Sequence, residues 1–145
     1  LLSNEEASLS LIINLIVSGI AFISLFIGGI GIANTMFTSV LERTKEIGVM
    51  KAIGAKNSSI LTIFLIESGL LGLVGGIVGA IIGLSLAYSA ASIASSALGG
   101  LDFKVMVSFP LLIAAISFSL VIGVVSGVFP AYQASKLSPV EALRK

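Results

Sequence analysis

The charged side chains of this chain are concentrated in one short segment, which offers its clearest polar chemistry. The segment reads ERTKEIGVMKAIGAKN, residues 42–57, and holds six of the fifteen charged residues. On a helix, Glu42 lies three residues from Lys45, and Arg43 lies three residues from Glu46, so both pairs can meet at the surface. This spacing predicts charge pairing and surface binding.

Catalytic chemistry has little support in the sequence. Cysteine and histidine are absent, which removes the thiol nucleophile, the commonest general base and the commonest metal ligand. The sequence has no GxxxxGK[ST] phosphate-binding motif, so we do not expect this chain to hydrolyse ATP by that route. We therefore expect it not to be an enzyme and to hold no metal ion or cofactor of its own. A net charge of +1 gives no indication of nucleic-acid binding.

The rest of the chain is apolar enough to lie in a membrane. Apolar residues make up 57% of the sequence and charged residues 10%, whereas soluble domains carry about 25% charged residues. Residues 7–41, 68–101 and 105–135 contain no charge, and each run exceeds the roughly 20 residues that a helix needs to cross a bilayer. We predict an all-α integral membrane protein with three spans, at about residues 11–32, 60–87 and 109–129.

The charged segment is predicted to form a short helix between the first and second spans, at about residues 42–54. Ile47, Met50 and Ile53 are spaced three residues apart and form an apolar stripe, and Gly54 is suited to end the helix. Two interpretations remain open from the residues alone. The helix lies along the membrane surface as an anchor, or it is a docking element for a cytoplasmic partner.

The basic residues predict the orientation of the spans. Seven of the eight lie either in the first connection or in the tail, residues 131–145, and a three-span protein places those two regions on one side. Cytoplasmic loops carry an excess of Lys and Arg, so we expect both regions in the cytoplasm and the N-terminus outside. Asp102 and Lys104, in the opposite loop, are expected to be solvated.

Glycines recur at four-residue spacing in the second and third spans. Such spacing removes side-chain bulk from one helix face, so another backbone can approach closely. Packing within one subunit, packing between subunits and the lining of a substrate path all remain open. The residues expected to pack are Gly72, Gly75, Gly76, Gly79, Gly83, Gly123 and Gly127.

Glu67 is the only ionisable residue inside a predicted span. It lies about 10 Å along the helix from Ile60, at 1.5 Å per residue, which places it in the inner leaflet. An intramembrane carboxylate suggests a function. A structural hydrogen bond to a hydroxyl such as Ser39 or Thr62, a part in helix movement, and proton carriage all remain open. The last would make the chain a proton-conducting subunit, and a purely structural membrane subunit is a further alternative.

Three groups of residues follow one another in a recognisable order. The first surrounds the charged segment, from Asn34 to Ala55, with Glu42-Arg43-Thr44 and Lys45-Glu46-Ile47-Gly48 at its centre. The second is Phe64-Leu65-Ile66-Glu67 with the glycine-rich span after it, and the third is the ending from Pro130 to Arg144. Together they resemble the FtsX-like permease family of ABC transporters, MacB type.

The resemblance implies an architecture. Members of that family have four spans, and the first precedes a large extracytoplasmic domain. Residues 1–145 correspond to a single membrane domain with the last three spans, without the first span and the outer domain. The resemblance also implies a homodimer in the lipid bilayer of a prokaryotic plasma membrane.

The resemblance further implies a function. The permease works with an ABC ATPase, fused or separate, which binds ATP and Mg, and it transmits the movement of that ATPase across the membrane to drive export or extraction of a substrate. The charged segment then corresponds to the coupling helix, with its apolar stripe seated in a groove of the ATPase. The residues expected to contact the ATPase are Glu42, Arg43, Glu46, Met50 and Lys51.

Overall fold

The computed structural model describes residues 1–100 and 103–144, and every regular element within them is a helix. Asp102 and Lys145 lie outside the described residues, whereas Lys104 is exposed, as expected. The helices are α1 (Leu2–Glu42), α2 (Thr44–Ala52), α3 (Asn57–Ala97), α4 (Phe109–Ser135) and α5 (Pro139–Arg144). Helices α1, α3 and α4 are long and apolar enough to cross a membrane. The prediction of an all-α membrane protein with three spans is confirmed.

Two of these helices are much longer than the predicted spans. Helices α1 and α3 each have 41 residues, or about 61 Å at 1.5 Å per residue, whereas the hydrocarbon core is about 30 Å thick. Helix α4 continues through Pro130 to Ser135, so the first residues of the predicted tail are helical. A proline inside a helix removes one backbone hydrogen bond and crowds the preceding turn, yet the helix continues here, with the side chains of Pro130, Ala131 and Ala134 all buried.

Helices α3 and α4 pack with their backbones in close approach. A Cβ atom added to Gly123 would lie 2.6 Å from the Ser68 carbonyl oxygen and 2.8 Å from the Gly72 Cα atom. The Ser119 hydroxyl donates a hydrogen bond of 2.7 Å to the Gly72 carbonyl oxygen. Glycine is therefore required on both helices at this crossing, because any larger side chain would separate them.

The predicted packing glycines lie on two different faces. Gly76 and Gly127 belong to the same contact, against Ser119 and Ser68 respectively. A Cβ atom added to the remaining three would meet no other atom within 4 Å, so that row faces away from the rest of the chain. The residues of the open row are Gly75, Gly79 and Gly83.

The hydrophobic core lies at one end of the molecule, where the helix ends meet. The side chains in it come from the last turns of α1 and α4, the first turns of α3, and α2. They are Met36, Val40, Ile47, Ile60, Phe64, Ala131 and Ala134. Residues 1–24, in contrast, are all exposed. The helices thus pack against one another at the end that carries the charged segment. The far half of α1 is exposed and can contact lipid or another protein.

Helix α1 joins this arrangement through α4. The rings of Phe37 and Phe129 meet edge to face, with their centroids 5.6 Å apart. Farther along the same helices, a Cβ atom added to Gly29 would lie 2.8 Å from the Ser126 hydroxyl. Helix α4 therefore packs against both of the other spans.

The two glycine faces can be compared directly with matched substitutions. We expect Gly123→Ala to destabilise the protein by about 1–3 kcal/mol, because the added methyl forces α3 and α4 apart. Gly79→Ala adds the same methyl in open space, so we expect no loss and a gain of up to about 1 kcal/mol from helix propensity. Thermal unfolding in detergent micelles measures both. Equal destabilisation by the two variants would contradict this packing.

Candidate coupling site

Helix α2 follows α1 after a break of one residue. Arg43 leaves the helical conformation, with φ −98° and ψ 15°, and its N–H donates to the Ser39 carbonyl at 3.0 Å. The Thr44 hydroxyl donates to the carbonyls of Val40 and Leu41, both at 2.9 Å. These bonds satisfy carbonyls at the end of α1 that would otherwise lack partners. The position of α2 is therefore set directly by the end of the first span.

The end of α2 is equally well defined. Gly54 has a φ of +101°, in the left-handed region that favours glycine. The Ala55 N–H donates to the Met50 carbonyl at 2.9 Å, and the Gly54 N–H donates to the Lys51 carbonyl at 3.1 Å, which is the Schellman ending of a helix. Glycine thus ends the charged helix as predicted, but α2 is shorter at both ends than the predicted range, residues 42–54.

The apolar stripe of α2 mostly faces this chain. Ile47 is 0% exposed and belongs to the core, and Met50 packs against that core. The prediction that the stripe sits in a groove of a partner is wrong for Ile47, because the inner ends of the spans already enclose its side chain. Ile53 remains 82% exposed and Val49 51% exposed. The outward face of α2 consists of Lys45, Glu46, Val49, Ala52 and Ile53.

Arg43, at the break between α1 and α2, forms polar contacts with α3. Its Nε atom donates to Glu46 Oε2 at 3.1 Å, and its Nη1 atom donates to Glu67 Oε2 at 3.3 Å. Its guanidinium carbon also lies 5.8 Å from the centroid of the Phe64 ring. The side chains of Arg43 and Glu67 are 40% and 37% exposed, so water screens the pair, which contributes about 0–1 kcal/mol. The pair links the α1–α2 break to α3 and contributes little to stability.

Glu67 therefore has a different hydrogen-bond partner from the hydroxyls suggested by the sequence. The Thr62 hydroxyl donates within its own helix, to the Ser58 carbonyl at 2.8 Å, and Arg43 takes the position expected for Ser39 or Thr62. The two members of the pair are 24 residues apart. Helical spacing within one element cannot reveal such a pair, which depends on how α3 returns beside the end of α1.

Lys51 forms a second polar contact, between α2 and α4. Its Nζ atom donates to the carbonyl oxygen of Ser135, the last residue of α4. Carbonyls at the end of a helix lack partners within the helix, and the helix dipole favours a cation there. Of the predicted contact residues, Arg43, Met50 and Lys51 therefore bind this chain's own helices, whereas Glu42 and Glu46 are exposed.

Helix α5 packs on α2 through a glycine. A Cβ atom added to Gly48 would lie 2.7 Å from the Cβ atom of Ala142, which is itself fully buried. Helix α5 was not predicted, although the sequence carries a local signal for it. Ser138 accepts a hydrogen bond from the Glu141 N–H at 3.3 Å, and a serine followed three residues later by glutamate, with Pro139 between them, is typical of a helix N-terminus.

A groove of about 900 Å³ separates the junction of α1 and α2 from α5, and we call it the α2–α5 groove. The end of α1 and the start of α2 form one wall, and the ends of α4 and α5 form the other. Its charged residues are Glu42, Lys45, Glu141 and Arg144, and its apolar lining includes Leu41 and Leu137.

Comparison with known proteins places this chain in a family. The model of the FtsX-like permease C-terminal domain matches residues 18–139. The chain therefore belongs to the FtsX-like permease family, in agreement with its three helices that can span a membrane. The match includes α1 from residue 18 onward, all of α2, α3 and α4, and the Arg43–Glu67 pair.

Several relatives are similar over most of this chain. It is 45% identical to an uncharacterized ABC transporter permease of Methanocaldococcus jannaschii, over 99% of this chain and 36% of the relative. It is 45% identical to the uncharacterized ABC transporter permease YknZ of Bacillus subtilis, over 92% of this chain and 32% of the relative. It is 46% identical to the macrolide export ATP-binding/permease protein MacB of Psychrobacter cryohalolentis, over 92% of this chain and 19% of the relative. The chain thus spans about a third or less of each relative's length.

The contact between α2 and α5 can be tested by moving one methyl group across it. We expect Gly48→Ala to destabilise the protein by about 1–3 kcal/mol, since the new Cβ atom overlaps that of Ala142. The double substitution G48A/A142G transfers the methyl from α5 to α2 and should recover most of the loss. Thermal unfolding of the single and double variants measures this. If Ala142→Gly failed to compensate, the two helices would not be packed through this contact.

Proposed function

We propose that this chain transmits the movement of an ABC ATPase across the membrane to drive the export or extraction of a substrate. The observation that carries the proposal is the attachment of α2 to all three spans. It is joined to α1 by one residue, to α3 through Arg43 and Glu67, and to α4 through Lys51. A force applied to α2 must therefore act on the inner ends of α1, α3 and α4 together.

The outward face of α2 is the proposed contact for the ATPase. It combines two charged residues, Lys45 and Glu46, with the exposed apolar side chains of Val49 and Ile53. Apolar groups with charged residues around them are typical of protein–protein interfaces. The MacB relatives are named as ATP-binding/permease proteins, which supports an ATP-binding partner for this chain. ATP and Mg would bind to that partner.

The predicted contact residues then have two roles. Glu42 and Glu46 point outward and contact the ATPase. Arg43, Met50 and Lys51 hold α2 against the spans, because their contacts are with α3, the core and α4. Docking and transmission thus use different side chains of the α1–α2 junction and of α2.

We place the charged segment in the cytoplasm of a prokaryotic cell, with the N-terminus outside. Helices α2 and α5 pack together, so the basic residues of the first connection and of the tail lie at one end of the protein, while Lys104 lies in the loop at the other end of α3. This distribution is the one expected of a plasma-membrane protein with that end inside.

We also propose that the permease acts as a homodimer. Two surfaces are left without partners in the described part of the chain: the far half of α1, over residues 1–24, and the open row of α3 at Gly75, Gly79 and Gly83. The charge-free part of the first surface, residues 7–24, and the open row are apolar enough to lie against a second copy in the bilayer. Glu67, by contrast, is engaged with Arg43 at the inner end of α3, a place that suits a tie between helices better than proton conduction.

A carboxylate on the outward face of α2 tests the proposed contact. We expect Val49→Glu in the full-length permease to lower binding of the ATPase at least about tenfold, because a desolvated carboxylate without a partner costs more than about 1.4 kcal/mol. Transport should fall with it, while expression stays normal, since Val49 lies outside the core. The measurement is the amount of ATP-binding subunit retained on the purified permease or, where both lie in one polypeptide, the cross-links between them.

The matched control is Met106→Glu, which makes a comparable change at a residue 94% exposed between α3 and α4. We expect this control to retain the ATPase. Wild-type ATPase binding and transport in Val49→Glu would rule out α2 as the coupling element.

A further inference from the structure

The α2–α5 groove contains charged residues that have no ion-pair partner in the described part of the chain. Within residues 1–100 and 103–144, both salt bridges involve Arg43. Glu42, Lys45, Glu141 and Arg144 line the same groove, all are exposed, and none belongs to either bridge. Their side chains are therefore available to a partner.

The groove also exposes apolar surface between these charges. Leu41 is 72% exposed, although it lies in the last turn of α1 beside the buried Val40. Leu137 lines the opposite wall. Apolar side chains bordered by charged ones match the arrangement of a protein–protein interface, in which a polar rim surrounds an apolar centre.

The signs of the charges indicate the kind of partner. The groove carries two acidic and two basic side chains, with one of each on either wall. A surface of one sign, such as anionic lipid headgroups or nucleic acid, would meet like charges at two positions and be repelled there. A protein segment with an acidic and a basic side chain beside an apolar one would be complementary to it.

The position of the groove indicates which protein would occupy it. Lys45 belongs both to the groove and to the outward face of α2, so the two surfaces are continuous. We propose that the groove is the second half of the ATPase docking site, with the ATPase inserting one segment between the α1–α2 junction and α5. This inference rests on the proposed function. The family match ends at residue 139, the first residue of α5, so the α5 wall is inferred from this structure.

The consequence is that α5 helps to fix the ATPase on α2. Helix α5 is held to α2 by the contact of Gly48 with Ala142. A segment seated in the groove would touch both helices and the end of α1, so movement of the ATPase would reach α1 directly as well as through α2.

Neutralising the charges of α5 tests the proposal without disturbing its fold. In Glu141→Gln, glutamine keeps the chain length and the capping arrangement of the helix, and Arg144→Gln removes an exposed cation. We expect each variant to lower retention of the ATPase on the full-length permease, by roughly three- to tenfold. Thermal unfolding should match the wild type, which shows that α5 remains in place.

The matched control is Lys136→Gln. It removes the same charge from an exposed residue just past the end of α4, whose ammonium lies over the Tyr132 ring rather than in the groove. We expect this variant to retain the ATPase fully. An equal loss in Lys136→Gln and Arg144→Gln would reveal a general effect of net charge and overturn the proposal.

A photoreactive benzophenone amino acid identifies the occupant. Placed at Leu41, in the groove, it should cross-link to a peptide of the ATP-binding subunit or domain. Placed at Val140, which is 76% exposed on α5 but outside the groove, it should yield much less of that product. Cross-linking from Leu41 to a second copy of the permease, or only to lipid, would overturn the proposal.

The two hypotheses fail in different ways. If Val49→Glu loses the ATPase while Glu141→Gln and Arg144→Gln keep it, the ATPase docks on α2 alone and the groove has no part in docking. If Val49→Glu also keeps the ATPase, the proposed function itself is overturned.

Discussion

The arrangement of the inner end depends on the burial of Ile47. Its side chain, on a helix of nine residues, is enclosed by residues from the ends of all three spans. Burial of an isoleucine contributes about 1.5–3 kcal/mol, more than the screened pair of Arg43 and Glu67. With Ile47 in place, Gly48 faces α5, Arg43 reaches α3 and Lys51 reaches the end of α4. The polar ties therefore refine an orientation that hydrophobic packing establishes.

This packing produces a contrast between the two ends of the molecule. At the inner end the helices share one core, and α3 and α4 approach closely at Gly72 and Gly123. Toward the other end, residues 1–24 of α1 contact nothing else in the described part of the chain that would bury them. The transmission proposed above would use this contrast, with the inner helix ends held together and the outer half of α1 packed against nothing else in the described part of the chain.

Local patterns in the sequence were sufficient to predict much of the fold. Charge-free runs identify three spans because the bilayer sets a minimum length for an apolar helix. Gly54 indicated the end of the charged helix because helices commonly end at a residue with positive φ, which favours glycine. Gly72 and Gly123 lie where α3 and α4 approach closely and Gly79 lies on the open row, a difference that periodicity does not reveal because both rows have four-residue spacing.

The contacts of the candidate site were harder to predict because they join distant parts of the chain. Arg43 and Glu67 are 24 residues apart, and Lys51 and Ser135 are 84 residues apart. Ile47 was expected to face a partner, since a stripe on a short helix does not show which protein will cover it. Helix α5 had a local signal in Ser138 and Glu141 that the sequence analysis did not use.

The proposed function requires α2 to move as one body with the inner ends of the spans. Pulsed electron paramagnetic resonance on the full-length protein tests this with two pairs of spin labels at exposed positions. One pair is at Ile53, directly after α2, and Tyr132, on α4; the other is at Leu9 and Leu111, near the outer ends of α1 and α4. Measurements are compared without nucleotide and with ATP trapped by vanadate. This account predicts that the Ile53–Tyr132 distance stays the same while the Leu9–Leu111 distance changes. A shift between Ile53 and Tyr132 with the outer pair unchanged would contradict it.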